Sequence, residues 1–114
     1  MIAVVAPPGE LRDALMGHLP AGTAALEPGD PMTLARGLQG AERMFLACED
    51  EVAAGDVVSA AEMALVYYCV SLRDVPALTG SALRSRVLDP PGSASPDEVA
   101  RLAAQALRDD PPPP

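Results

Sequence analysis

Short apolar runs alternate with amphipathic stretches along this chain. The runs are brief and partly β-branched, which is typical of buried strands, while the stretches between them place apolar residues at helical spacing, as in Leu11, Leu15 and Leu19. Asp30 and Ser95 each precede a proline and are typical helix caps. The predicted strands are 2–6, 23–26, 43–48, 65–70 and 86–88, the longest predicted helix between them is 52–63, and 71–85 is predicted as irregular or as one short helix.

Regular alternation of strands and helices is typical of the α/β class. Short connections between such elements favour a mostly parallel sheet with right-handed crossovers. We therefore predict a three-layer α/β fold with about five strands and helices on both faces of the sheet. Residues 1–110 are predicted to form one domain, and the prolines of 111–114 to form a disordered tail.

Charge and composition exclude several classes of function. All eight basic residues are arginine, so the chain has no P-loop lysine, no Schiff-base lysine and no Tyr-x-x-x-Lys pair. A net charge of −8 argues against nucleic acid or an anionic membrane as partner. The apolar run 63–70 is far shorter than the roughly 20 residues of a spanning helix. Since the N-terminus also lacks a basic signal-peptide region, we expect a cytoplasmic protein.

Neither a disulfide framework nor a metal site is expected. The two cysteines, Cys48 and Cys69, are far apart in the sequence and form no C-x-x-C pair. His18 is the only histidine, and we expect it on a helix surface at the wrong end of the sheet for catalysis. The prediction for metals is therefore none.

Several sequence segments, taken in their order, resemble the NmrA-like group of atypical short-chain dehydrogenase/reductase proteins. The residues 5–12 stand where that family has Thr-Gly-Ala-Thr-Gly-x-Leu-Gly. The resemblance continues through "DPMTLARGLQGAERMFLAC" (30–48), "SAAEMALVYYCVSL" (59–72) and "RVLDPPG" (86–92). It implies a Rossmann-like fold. Because the family's proteins are longer, it also implies a chain truncated at its C-terminus, without the family's substrate-binding portion.

The departures from the family pattern indicate an eroded dinucleotide loop. Ala6 and Arg12 replace two of the three glycines, of which only Gly9 remains, and Pro7 and Pro8 lack the N–H groups that could hold a phosphate. Arg12 could itself grip a phosphate, so weak nucleotide binding stays open. We expect no cofactor, and no NAD(P)-dependent oxidoreductase activity.

Acidic residues after the second predicted strand also argue against binding of NADP. Glu27 and Asp30 stand where an arginine for the 2′-phosphate of NADP would be expected.

Candidate site residues follow from the rule that ligands of open α/β sheets bind beyond the carboxyl ends of the strands. Each has a plainer structural interpretation: helix capping for the acidic residues, core packing for Cys48, Tyr67 and Tyr68, and a turn for Ser71. Cys69 is expected in the core. The candidates for catalysis are Asp50, Ser71, Tyr67 and Tyr68, and those for ligand binding are Pro8, Gly9, Arg12, Cys48, Glu49, Arg73 and Asp89.

Two functions are compatible with this sequence. One is a cofactor-independent enzyme or binding protein that takes a small apolar molecule in the vacated cleft, with isomerase or cyclase chemistry by acid–base catalysis. The other is a non-catalytic regulatory or interaction protein derived from a dehydrogenase. A cleft lined by Asp50, Ser71 and one of the two tyrosines would favour the first, and a filled cleft with a flat apolar face the second. Because a shortened sheet leaves an edge exposed, a homodimer is expected.

Overall fold

Strands and helices alternate strictly along residues 1–109, the part of the chain that this computed structural model describes. The predicted proline tail 111–114 lies outside the described residues. The strands are β1 (Ile2–Val5), β2 (Ala24–Leu26), β3 (Arg43–Leu46), β4 (Tyr68–Ser71) and β5 (Arg84–Val87). The helices are α1 (Glu10–His18), α2 (Pro31–Gly37), α3 (Glu51–Met63), α4 (Pro76–Thr79) and α5 (Pro96–Arg108).

The sheet is parallel throughout and has the order β2-β1-β3-β4-β5. This confirms the predicted α/β class. The direction of strand succession reverses between β1 and β3, which is the switch point where open α/β sheets leave a crevice. One strand lies beyond β1 on the β2 side, whereas the usual dinucleotide-binding order places two strands there.

Two helical layers cover the sheet, as the sequence pattern predicted. Side chains alternate faces along each strand, so Met44 and Leu46 pack towards α2, α3 and α4, while Phe45 packs towards α1 and α5. Small residues allow close packing, since a Cβ built on Gly37 would lie 2.7 Å from the Leu26 side chain. The core is therefore made of alanine, valine and leucine, with Phe45 and Tyr68 as its largest buried members.

Both predicted proline-led caps are present. The Asp30 carboxylate accepts a hydrogen bond from the Thr33 N–H at 3.1 Å, and the Ser95 hydroxyl accepts one from the Glu98 N–H at 3.2 Å. Each satisfies a backbone donor in the first turn of a helix, where no carbonyl of the helix itself is available. None of the helices within residues 1–109 is long and apolar enough to cross a membrane.

The predicted fourth strand began too early. Residues 65–67 are not part of β4, which starts at Tyr68. Leu65 adopts the left-handed conformation (φ 63°) just after α3, and the Val66 N–H donates to the Ala61 carbonyl at 3.0 Å to close the helix. The apolar run therefore spans a helix end, a turn and a strand, and Tyr67 lies outside the sheet.

The fifth strand also differs from the prediction. It covers 84–87 instead of 86–88, and all four of its residues are exposed, so no alternating apolar pattern marked its start. Leu102 of α5 has an apolar side chain but is 44 % exposed. The short helix allowed within 71–85 is α4.

Candidate ligand-binding cleft

A cleft of about 530 Å³ opens at the carboxyl end of the sheet, around the switch point between β1 and β3. The loops that follow β1, β3 and β4 form its walls, and the loop after β2 contributes one residue. Its size lies within the range of small-molecule sites, about 300–1,000 Å³. Its lining residues are Ala6, Pro7, Pro8, Gly9, Glu10, Leu11, Arg12, Pro28, Leu46, Ala47, Cys48, Glu49, Asp50, Ser71, Leu72, Arg73 and Val75.

The loop between β1 and α1 offers few hydrogen-bond donors to the cleft. The Ala6 N–H already donates to the Leu26 carbonyl at 3.0 Å, and Pro7 and Pro8 have no N–H. Gly9 is in an extended conformation (φ 160°), and a Cβ there would meet nothing within 4 Å. Gly9 is therefore required neither by its dihedral angle nor by close packing.

The start of α1 is poorly suited to an anion. No side chain caps this helix, so its first N–H groups have no side-chain acceptor, but Glu10 and Asp13 both lie in its first turn. Their carboxylates favour the positive end of the helix dipole and repel a phosphate from the same place. The usual anchor of a pyrophosphate is thus occupied by negative charge.

Both guanidinium groups of the cleft lie near carboxylates. Arg12 Nη1 is 3.8 Å from Glu27 Oε1, and this pair joins the start of α1 to the end of β2. Arg73 Nη2 is 3.8 Å from Glu49 Oε1, with both side chains well exposed. The Arg12 side chain is the more enclosed of the two arginines, at 21 % exposure against 72 %. Neither arginine is left with an uncompensated charge.

The candidate acid Asp50 caps α3. Its Oδ1 accepts hydrogen bonds from the backbone N–H groups of Val52 at 2.8 Å and Ala53 at 3.4 Å. The Cys48 thiol donates to the Asp50 carbonyl at 3.5 Å and is half-buried. The capping role that the sequence allowed for this acidic run is therefore present, and Asp50 Oδ2 is the oxygen not used in it.

Ser71 is the one buried polar side chain of the cleft, at 1 % exposure. Its hydroxyl donates to the Arg73 carbonyl at 2.8 Å and so orders the loop after β4. The hydroxyl oxygen can still accept a hydrogen bond. Cys69, two residues earlier, lies in the core as expected, and burial raises the pKa of its thiol from 9.0 to about 12.

The structure does not bring every predicted site residue to the cleft. Tyr67 and Tyr68 lie at the amino end of β4, whereas the cleft lies at the carboxyl ends of the strands. They lie there because the strand starts later than predicted. The prediction that both lie within the strand is wrong for Tyr67, which is 40 % exposed and accepts a hydrogen bond from Arg43 Nε at 3.3 Å. Tyr68 is fully buried, and its hydroxyl has no hydrogen-bond partner within residues 1–109.

Asp89 is also remote from the cleft. It follows β5, the edge strand farthest from the switch point, and is exposed with a left-handed backbone (φ 46°). His18 lies on the surface of α1, where its Nε2 is 2.9 Å from Asp97 Oδ1. Both side chains are outside the cleft lining.

Nine lining residues are not among the candidates chosen from the sequence: Ala6, Pro7, Glu10, Leu11, Pro28, Leu46, Ala47, Leu72 and Val75. Glu10 follows Gly9 directly, and the strand-end rule could have selected it with its neighbours. Pro28 and Val75 follow β2 and β4, but an isolated apolar loop residue gives no sequence signal for a binding site. Within residues 1–109, no group of three His, Cys, Asp or Glu side chains is placed to hold a metal ion.

Comparison with known proteins identifies the fold of this chain but does not identify a family. No protein-family model and no curated protein sequence matches the chain. Among solved structures, the chain is similar to the Citrobacter sp. triphenylmethane reductase in complex with NADP(H), with 19 % sequence identity and a TM-score of 0.51. The match covers 93 % of this chain and 44 % of the reductase, so the chain spans less than half of that protein's length.

The likeness shows that the chain has a Rossmann-like α/β fold. This confirms the predicted fold class.

Proposed function

We propose that this protein binds a small, largely apolar molecule in the cleft at the carboxyl end of its sheet, without a dinucleotide cofactor. The observation that carries the proposal is the cleft itself: its lining is mostly apolar, and the two prolines of its loop after β1 offer no N–H to a pyrophosphate. An open cleft of this kind also argues against a pure interaction protein, for which a filled cleft and a flat apolar face were expected.

Binding of NADP(H) is the second candidate, because the similar reductase binds that cofactor. Arg12 would then have to leave Glu27 and hold a phosphate. Against this stand the two prolines, the acidic first turn of α1 and the Glu27 carboxylate at the end of β2. Each of these features disfavours a ligand with several negative charges.

Calorimetric titration separates the two candidates. The ligands are NAD, NADH, NADP, NADPH and a neutral apolar probe, naphthalenemethanol. We expect saturable binding of the probe and no heat of binding from any dinucleotide. Saturable binding of a dinucleotide at micromolar concentration would overturn the proposal.

A matched pair of variants locates the bound probe. Ala47→Met fills the cleft from the end of β3, where Ala47 is half-buried, and should abolish probe binding. Ala77→Met places the same side chain on the exposed surface of α4 and should leave binding unchanged.

Isomerase or cyclase chemistry stays a prediction. Its candidate acid or base is Asp50, whose Oδ1 already accepts hydrogen bonds from two backbone N–H groups. The Ser71 hydroxyl donates its hydrogen bond to the Arg73 carbonyl. Acid–base catalysis at this site would therefore use Asp50 Oδ2, the carboxylate oxygen that does not cap the helix. Once a ligand is known, Asp50→Asn tests the role directly, because asparagine can keep the cap and cannot exchange a proton.

We also propose that two copies pair through β5. All four residues of this edge strand are exposed, and such an edge presents unpaired backbone groups. The Arg84 N–H points to β4, where it donates to Tyr67, so the Ser85 N–H points to the free edge. Ser85→Pro should convert a dimer into a monomer in size-exclusion chromatography with light scattering. A monomeric wild-type protein would contradict the pairing.

A further inference from the structure

We infer that the cleft selects an apolar organic cation, such as a protonated amine on a hydrophobic skeleton, and that Glu10 is a specificity-determining residue. This inference rests on the proposed function, because it takes the cleft as the binding site and asks only which charge its ligand carries. The apolar walls supply the general affinity. The charged groups at the rim then decide between ligands of equal size and different charge.

Carboxylates outnumber guanidinium groups around the cleft. Glu10, Glu49 and Asp50 line it directly, against Arg12 and Arg73. Arg12 is offset by a fourth carboxylate, that of Glu27 at the end of β2, and Arg73 by Glu49. The rim therefore carries an excess of negative charge after both arginines are paired.

Glu10 supplies the rim carboxylate that no guanidinium group offsets among residues 1–109. It is the first residue of α1, lines the cleft and has no cationic side chain paired with it within residues 1–109. Asp50 is held by backbone N–H groups of its own helix, so part of its charge is already stabilised. An incoming cation therefore gains most from Glu10, and an incoming anion is repelled most by it.

The walls contain no aromatic residue that could replace this contact. Tyr67 and Tyr68 lie at the amino end of the sheet, opposite the cleft, and Phe45 is buried beneath α1 and α5. A cation in the cleft therefore cannot rely on a ring face, and its recognition falls to the carboxylates. A carboxylate at this exposure is screened by salt, so the preference should be moderate and dependent on ionic strength.

Three probes with one skeleton test the inference: naphthylmethylamine as the cation, naphthalenemethanol as the neutral molecule and naphthoate as the anion. Their dissociation constants are measured by calorimetry at neutral pH and low salt. We expect the amine to bind about fivefold more tightly than the alcohol, and the acid more weakly than the alcohol, since one charge pair near a protein surface contributes about 1 kcal/mol. In high salt the three affinities should converge.

Two variants assign the effect to Glu10. Glu10→Gln should reduce the ratio of amine to alcohol affinity by at least about twofold and leave alcohol binding unchanged. Glu62→Gln is the matched control, because it removes the same charge from the exposed far end of α3. If both variants keep the wild-type ratio, or both lower it equally, the assignment to Glu10 is overturned.

The outcomes also separate this inference from the proposed function. Equal affinity for the three probes, or tightest binding of the acid, overturns the cation preference while the cleft remains a binding site. Absence of binding by all three probes overturns the proposed function and the inference together.

Discussion

The carboxyl and amino ends of the sheet differ in how tightly they are closed. At the carboxyl end, the loops after β1 and β3 lead into helices on opposite faces and leave a cleft of about 530 Å³ between them. At the amino end, Arg43 joins three parts of the chain: its Nη1 donates to the carbonyls of Leu107 at 2.6 Å and Asp109 at 2.5 Å, and its Nε to the Tyr67 hydroxyl.

This contrast separates stability from binding along the same strands. At the amino end, Arg43 holds the part-buried carbonyl of Leu107 and the exposed one of Asp109, whereas the charged groups at the carboxyl end pair weakly across an open rim. Removal of an amino-end contact should therefore lower stability, and removal of a carboxyl-end contact should change what the protein binds.

The largest expected effect compares one arginine from each end. Arg43→Ala should lower the free energy of unfolding by about 2–3 kcal/mol, because two charge-assisted hydrogen bonds to the end of α5 are lost. Arg73→Ala should change it by less than about 0.5 kcal/mol, since its pair with Glu49 is exposed. Urea unfolding followed by circular dichroism measures both values. Equal losses would refute the contrast between the two ends.

The next effect compares the two thiols across alkaline pH. Burial raises the pKa of Cys69 to about 12, so above pH 9 the unfolded chain loses a proton that the folded chain keeps. Stability should then fall as the pH rises from 9 towards 12, and at pH 10 this thiol should contribute a loss of about 1.4 kcal/mol.

Variants of each cysteine isolate that contribution. Cys69→Ala should flatten the decline in unfolding free energy, measured by urea unfolding at a series of pH values. Cys48→Ala, at the half-buried thiol of the cleft, serves as the control, and an equal flattening by both variants would contradict the assignment.

The smallest effect concerns the two neighbouring tyrosines of the amino end. Tyr68→Phe should leave stability unchanged or raise it by up to about 1 kcal/mol, because its buried hydroxyl has no hydrogen-bond partner among residues 1–109. Tyr67→Phe should lower stability slightly, since it removes the acceptor of the Arg43 Nε–H. The thermal midpoint of each variant, compared with that of the wild type, gives the sign of its stability change. A large loss in Tyr68→Phe would show that the hydroxyl has a partner after all.

The fold was predictable where hydrophobic runs coincide with single elements. The runs at 2–6 and 43–48 each form one strand, with loops that begin at proline or acidic residues, so their ends were close to correct. The run before Val70 contains no glycine or proline, although the chain turns sharply at Leu65, and periodicity could not reveal that turn. For the exposed β5, the only apolar signal was the pair Val87 and Leu88, which placed the predicted strand two residues too late.

The cleft residues were predictable to the extent that the strand ends were. Gly9, Asp50 and Ser71 each follow or end a strand, and the structure brings them together in one cleft. Tyr68 was misplaced because the start of its strand was misplaced. Asp89 also follows a strand, but one at the sheet edge, and strand order is not visible in a single sequence.

The central claim is that the cleft takes a small apolar molecule and not NADP(H), and amide chemical-shift mapping of the isotope-labelled protein tests it most directly. We predict that naphthalenemethanol shifts the amide signals of Gly9, Cys48 and Leu72 in the cleft and leaves those of Tyr67 and Arg84 at the amino end in place. NADPH added to the same sample should shift none of them. Saturable shifts of the cleft signals by NADPH, or probe-induced shifts confined to the amino end, would contradict the account.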